Sequence, residues 1–257
     1  MKTKTVSIIV PVYKGEKFIR KNLEVMKKTL AWNFPNFEIV VIIDGNNDNS
    51  YNEAMKVKGV KVYKYDINKG KGYALKYGFD FCSGDYITFM DADLDLPPKQ
   101  ISNFIPYMET ADIVIGSKRH PFSRLNYPFA RKVLSQCFSL YSKLILGVSL
   151  RDTQSGLKLM KREVLEVLLP LITIKRFAFD LELMFLAEKH NFRTVEAPLS
   201  INFQGVGTGL NIKSIFTMLK GMFLDVLGIR YRYTITKYYQ KKYHEVHFDK
   251  DLNARVA

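Results

Sequence analysis

The chain has 257 residues, 47% of them hydrophobic and 25% charged, which excludes a disordered or fibrous protein and suits one α/β domain with a full core. Lys and Arg number 39 against 25 Asp and Glu, a net charge of +14, and this favours anionic partners such as phosphorylated substrates, acidic lipid or nucleic acid. The two cysteines, Cys82 and Cys137, cannot build a disulfide framework, and no run of 18 or more apolar residues offers a membrane-spanning helix.

Met1 to Thr5 lead into a strand pattern without a signal-peptide core, so a cytoplasmic chain is expected. Val6 to Val12 is apolar and β-branched and reads as a buried strand. Residues 16–30 follow as an amphipathic helix, and Phe37 to Ile43 as a second strand ending at Asp44-Gly45-Asn46-Asn47-Asp48. Asn49 and Ser50 there offer helix-capping side chains. Val60 to Tyr65 is a third strand, then Asn68-Lys69-Gly70-Lys71-Gly72 opens a helix running to about Phe81. Asp85 to Met90 is a fourth strand that runs into Asp91-Ala92-Asp93-Leu94-Asp95. Pro97 and Pro98 suit the first turn of another helix, and Ala111 to Ile115 is a fifth strand. Helical patterns follow at 128–147, 161–169, 178–190 and 211–228, with two short strands within 192–203.

Strand and helix alternate over the first 115 residues or so, the pattern of a Rossmann-like, mostly parallel sheet with helices on both faces. Such sheets bind ligands at the carboxyl ends of their strands. Asp44, Lys71 and Asp91 all fall at or just after such ends. Residues 1–228 read as one domain that includes amphipathic C-terminal helices, and 229–257 as a basic aromatic tail.

Asp91, Asp93 and Asp95 alternate after an apolar strand, and alternate residues of an extended segment point the same way. Three carboxylates on one side repel one another unless a cation sits between them, and hard ions such as Mg²⁺ or Mn²⁺ take oxygen ligands and bridge to phosphates. A solvated acidic turn is the bland alternative. Lys71, Lys118 and Arg119 are candidate positive charges for a departing diphosphate. No P-loop pattern occurs; Gly205 to Gly209 lies outside a βαβ unit, and His244 and His247 read as part of a solvated tail.

Val6 to Glu16 (VSIIVPVYKGE), Ile42 to Asp48 (IIDGNND) and Asp91 to Asp95 (DADLD) resemble the successive nucleotide-sugar motifs of family 2 glycosyltransferases. Gly116-Ser-Lys-Arg119, Arg151-Asp-Thr-Gln-Ser-Gly-Leu-Lys158 and Arg176-Phe-Ala-Phe-Asp-Leu-Glu182 resemble the dolichyl-phosphate glucose and mannose synthase group, the glucose branch most nearly. The resemblance implies a GT-A fold and inverting transfer of a hexose from a nucleotide diphosphate sugar, UDP-linked glucose by preference, to a polyprenyl or dolichyl phosphate. It places Pro11, Tyr13, Glu16, Asp44, Lys71, Asp91 and Arg119 on the donor, and Asp93 and Asp95 on Mg²⁺ or Mn²⁺. Arg131, Ser135, Arg151 and Lys158 fall on the acceptor phosphate. Asp91, Asp93 and Asp180 form the catalytic set, with Glu182 a second acidic candidate.

A phosphate monoester is already ionised near neutral pH, so such an acceptor needs cations and geometry more than a strong base. The helices at 128–147 and 211–228 would rest on the cytoplasmic face of a membrane and keep a long lipid chain in the bilayer. The alternatives are the extension of a glycan by the same fold, and RNA or membrane binding through the basic aromatic tail; a nucleic-acid partner is not expected.

Overall fold

The computed structural model describes residues 4–126, 129–152, 155–176, 178–202 and 212–254. Nine strands lie in these residues: Val6–Val12 (β1), Phe37–Asp44 (β2), Lys61–Tyr65 (β3), Tyr86–Phe89 (β4), Ile113–Ser117 (β5), Arg124–Asn126 (β6), Lys158–Lys161 (β7), Thr194–Pro198 (β8) and Ser200–Asn202 (β9). The helices are Ile19–Asn33 (α1), Ser50–Met55 (α2), Lys71–Phe79 (α3), Phe129–Leu146 (α4), Arg162–Leu168 (α5), Phe179–Lys189 (α6), Ile212–Thr234 (α7) and Tyr238–Ala254 (α8), with a 3₁₀ helix at Pro98–Glu109.

The main sheet has the order β3-β2-β1-β4-β7-β5-β8. All neighbours run parallel except β7, which is antiparallel to both β4 and β5. Strands buried on both faces need apolar residues at nearly every position, and β1 and β2 supply them. On one face Ile8, Val10 and Val12 of β1 join Ile19, Leu23, Met26 and Leu30 of α1. Those four recur at helical spacing, so α1 lays a single apolar stripe on the sheet. On the other face Ile9 and Ile42 join α3 and α6, whose residues 181–187 are buried throughout. A buried leucine here contributes about 2 kcal/mol.

Two local expectations change. Ser50 and Asn49 make no side-chain cap on α2. Ser50 instead accepts the Gly15 N–H at 2.8 Å and donates to Asp48 at 2.6 Å, tying the β1 loop to the β2 loop. The boundary expected at residue 228 falls inside α7, which continues to Thr234. Beyond it, Tyr239 of α8 is 2% exposed and packs into the core, because its ring and those of Tyr233 and Tyr243 cover α6. No helix among the described residues is long and apolar enough to cross a membrane.

Candidate active site

The carboxyl ends of β1, β2 and β4 open onto one cavity of about 300 Å³. Pro11, Val12 and Tyr13 line it from β1, Asp44 from β2, Asn68, Gly70 and Lys71 from the turn into α3, Asp91 from the end of β4, and Arg176 from the segment before α6. Of the expected donor residues, Pro11, Tyr13, Asp44, Lys71 and Asp91 therefore share one wall. Asn68 and Arg176 were not among the expected donor residues, although each opens a stretch that the sequence singles out, Asn68 to Gly72 and Arg176 to Glu182.

Asp44 is 3% exposed and both of its carboxylate oxygens are engaged. They accept the N–H of Lys69 at 2.7 Å, the N–H of Gly70 at 2.9 Å and the amide of Asn68 at 3.0 Å. Asp44 thus shapes the turn that launches α3. Gly70 begins that helix at φ +94°, where a side chain is strained. Beside Asp44 in register, Tyr65 has a buried hydroxyl with no hydrogen bond to a described residue. Burial first and Asp44 second push its phenol well above the ordinary range.

Lys71, the first residue of α3, meets Asp91 at 2.6 Å. Burial alone would pull its ammonium down, but the charges of Asp91 and Asp180 outweigh that and hold it above the usual lysine range. Asp180 in turn accepts Lys158 at 2.7 Å. Lys158 is 1% exposed and also donates to the Ser155 carbonyl. The expectation that Lys158 meets the acceptor phosphate is corrected by this burial: the ammonium is the enclosed counter-ion of Asp180. Cation and carboxylate thus alternate from Lys158 through Asp180 and Lys71 to Asp91.

Asp91, Asp93 and Asp95 lie in a turn and not in an extended segment. Leu94 takes φ +62° and the Asp95 N–H closes onto the Asp93 carboxylate at 3.1 Å, so the expected alternation does not hold. The turn is anchored by the Asn22 amide on the Ala92 carbonyl at 2.8 Å. Gly156 approaches so closely that a Cβ there would lie 3.3 Å from Asp91 Oδ2. Desolvation, then the Asp91 charge, pushes the Asp93 carboxyl above the usual range, and Asp95 adds to that push. Asp91 is occupied by Lys71, while Asp95 accepts no hydrogen bond from a described residue. Among the described residues no three His, Cys, Asp or Glu side chains converge as a ready metal cage. Asp93 and Asp95 fit a hard divalent ion that completes its shell with water and substrate oxygens, the usual habit of Mg²⁺.

The other expected residues stand apart from the cavity. Glu16 accepts the Asn49 N–H at 3.1 Å and binds the β2–α2 loop. Arg119 donates to the Ser139 hydroxyl at 2.6 Å and the Ser135 carbonyl at 3.2 Å, pinning α4 to the end of β5. The Arg151 carbonyl accepts from Ser139 at 3.4 Å, so Arg119, Ser135 and Arg151 meet at one junction. Lys118 is held through its N–H by the buried Asp152 at 2.9 Å. Arg131 belongs to α4, but its side chain lies outside the described residues, as do Gly205 to Gly209. Glu182 points into the core and not toward the cavity, with 0% exposure.

Comparison with known proteins places this geometry. Residues 7–169 match the family described as Glycosyl transferase family 2. The chain is 30% identical over 256 residues to the dolichyl-phosphate beta-glucosyltransferase of Dictyostelium discoideum, covering 89% of this chain and 75% of that one. It is 29% identical to the dolichol-phosphate mannosyltransferase of Pyrococcus furiosus, covering 85% of this chain but 62% of that longer protein. The fold superposes on glucosyl-3-phosphoglycerate synthase from Mycobacterium tuberculosis, solved with UDP, at a TM-score of 0.68 and 18% identity, over 88% of this chain and 80% of the other. The sheet order is thus that of the GT-A fold, and the chain belongs to glycosyl transferase family 2.

Proposed function

We propose that this enzyme moves a hexose, glucose by preference, from a nucleotide diphosphate sugar to a polyprenyl or dolichyl phosphate, inverting the anomeric centre. The observation that carries the reading is the cavity at the ends of β1, β2 and β4, where Lys71 and Asp91 form an ion pair at 2.6 Å beside the Asp93–Asp95 turn. A UDP-sugar is the favoured donor. Tyr13, 49% exposed at the cavity edge, offers a face for the base, and Pro11 borders the same wall.

Asp93 and Asp95 would hold Mg²⁺ or Mn²⁺, which supplies Lewis-acid stabilisation to the departing diphosphate. Lys71 adds a fixed positive charge that Asp91 and Asp180 keep protonated across the physiological range. Asp91, held by Lys71, orients the sugar. Asp180, held in place by buried Lys158, orients the acceptor side. The acceptor phosphate needs little proton removal, since a monoester is mostly dianionic above about pH 6. Its docking ground is the region of Ser135 and Arg151, where Arg119 pins α4, with Arg131 on the same helix.

The lipid chain would remain in a membrane against which α4 and α7 lie. Leu134, Leu140 and Leu144 of α4 and Leu224, Leu227 and Tyr231 of α7 are exposed, and α4 packs on α7 through Phe138, Tyr141 and Phe223. A net charge of +14 attracts such a surface to anionic headgroups on the cytoplasmic leaflet.

The test uses radiolabelled UDP-glucose, vesicles containing dolichyl phosphate, and Mg²⁺ or Mn²⁺. Label is expected in the organic extract and is expected to be released by mild acid. Label that stays in the aqueous phase with every hexose donor tried, or that enters polysaccharide, would sink the reading.

A further inference from the structure

Glu182 lies too deep to touch substrate, yet it gathers an unusual set of donors. Its carboxylate accepts the Thr173 N–H at 3.0 Å, the Thr173 hydroxyl at 2.8 Å, the Ile174 N–H at 2.7 Å and the Tyr239 hydroxyl at 2.5 Å. Arg232 approaches it at 3.6 Å and donates to the Tyr239 hydroxyl at 3.0 Å. A carboxylate this deep in the core is costly to bury unless its oxygens find hydrogen-bond partners, and here both do. The same carboxylate therefore joins the two C-terminal helices, through Arg232 of α7 and Tyr239 of α8, to the start of segment 173–176.

That segment ends at the cavity. The Lys175 carbonyl accepts the Tyr73 N–H at 3.2 Å. A Cβ on Gly70 would lie 2.6 Å from that carbonyl and 2.9 Å from Arg176 Cγ, so the backbone is pressed against the turn that Asp44 shapes. Arg176 then lines the cavity beside Lys71, and its guanidinium makes no hydrogen bond to a described residue. A guanidinium so placed presents a planar fork that suits phosphate oxygens.

We propose that Arg176 binds the anionic diphosphate of the donor, and that Glu182 and Tyr239 are positioning residues that hold it at the cavity from the C-terminal helices. The proposal rests on the reading of this cavity as the donor site. Its consequence is that α8, none of whose described residues lines the cavity, sets donor affinity. The mechanism is a restriction of the segment that carries Arg176, so that less freedom is lost when the diphosphate arrives.

The full chain, with Mn²⁺ present, is titrated with UDP, and donor KM and kcat are measured for wild type, Arg176→Ala, Tyr239→Phe and the double variant. Arg176→Ala is expected to weaken UDP binding about ten-fold, the scale of a lost charge-assisted contact. Tyr239→Phe is expected to raise donor KM about three-fold with kcat within about two-fold, and to add nothing on top of Arg176→Ala. Effects that multiply in the double variant would overturn the coupling, and unchanged binding by Arg176→Ala would overturn the contact. Should Tyr239→Phe fail to fold, hydrogen exchange decides: UDP is expected to protect residues 236–246 in wild type and not in Arg176→Ala, and equal protection in both overturns the proposal. Wild type that binds neither UDP nor GDP overturns the donor reading and this one together, whereas nucleotide binding indifferent to Arg176 overturns this one alone.

Discussion

At the rim where the parallel strands begin, acidic side chains are tied down one by one. Glu38 accepts from Ser7, Lys61, Ser83 and Gly84. Burial opposes its ionisation, but the bonds from Lys61, Ser7 and Ser83 prevail and bring its pKa from 4.5 down to about 2. The Thr5 N–H foremost holds Asp85 below the usual range. For Asp112 burial is again outweighed, by Lys161 and the Arg193 N–H. At the opposite rim the Asp93 carboxyl is pushed up, by desolvation and by its acidic neighbours. One rim spends its carboxylates on holding strands together; the other keeps like charges close without a protein cation for each. Repulsion retained at a strand end marks where the fold gives up stability for a ligand.

The comparison can be broken first at the acidic turn. Asp93→Asn is expected to lower transfer by at least about 100-fold while leaving the melting temperature without ligand unchanged or higher, since it removes a like charge. Loss of both activity and stability would show that the turn is structural. Gly70→Ala comes next. It forces a side chain at φ +94° and against the Lys175 carbonyl, so a destabilisation of about 2–3 kcal/mol is expected, with weaker nucleotide binding, read by denaturant melts and UDP titration. Glu38→Gln is expected to lose about 2 kcal/mol at neutral pH, a figure discounted for solvent screening, with donor KM unchanged. A carboxylate with a lowered folded-state pKa gives stability that is present above 4.5 and lost as pH falls toward 2. The stability gap between wild type and Glu38→Gln should therefore close across that window. Lys4→Ala, which breaks a largely exposed pair with Asp85 at 3.1 Å, is expected to cost less than about 1 kcal/mol and no activity.

The sequence made the alternating half legible because β1 and β2 are continuous apolar runs and α1 has a clean stripe. The cavity lining was legible near the ends of such runs, at Pro11, Tyr13, Asp44, Lys71 and Asp91. It was not legible where a residue's role is set by a distant partner. Lys158 stands in Lys158–Lys161, a four-residue strand with a lysine at each end, and was expected on the acceptor phosphate; nothing in that stretch tells of Asp180 against it. Leu94 gives no hint of φ +62°, so three aspartates in alternation looked extended. Glu182 looked like a companion of Asp180, but two residues along a helix face about 200° apart, and its partners Arg232 and Tyr239 lie beyond the supposed domain end.

The reversed strand β7 has a consequence for how the chain assembles. Among the described residues β7 joins β4 to β5 in the main sheet, and β8 is the other neighbour of β5. Both arrive later in the sequence than β5 itself. During synthesis the β1–β4 half can close as its residues emerge, while β5 must wait more than 40 residues, from Ser117 to Lys158, for its first backbone partner. The part of the cavity formed by β1, β2 and β4 is thus built early, and β5 with β8 is the last of the sheet to be stitched on.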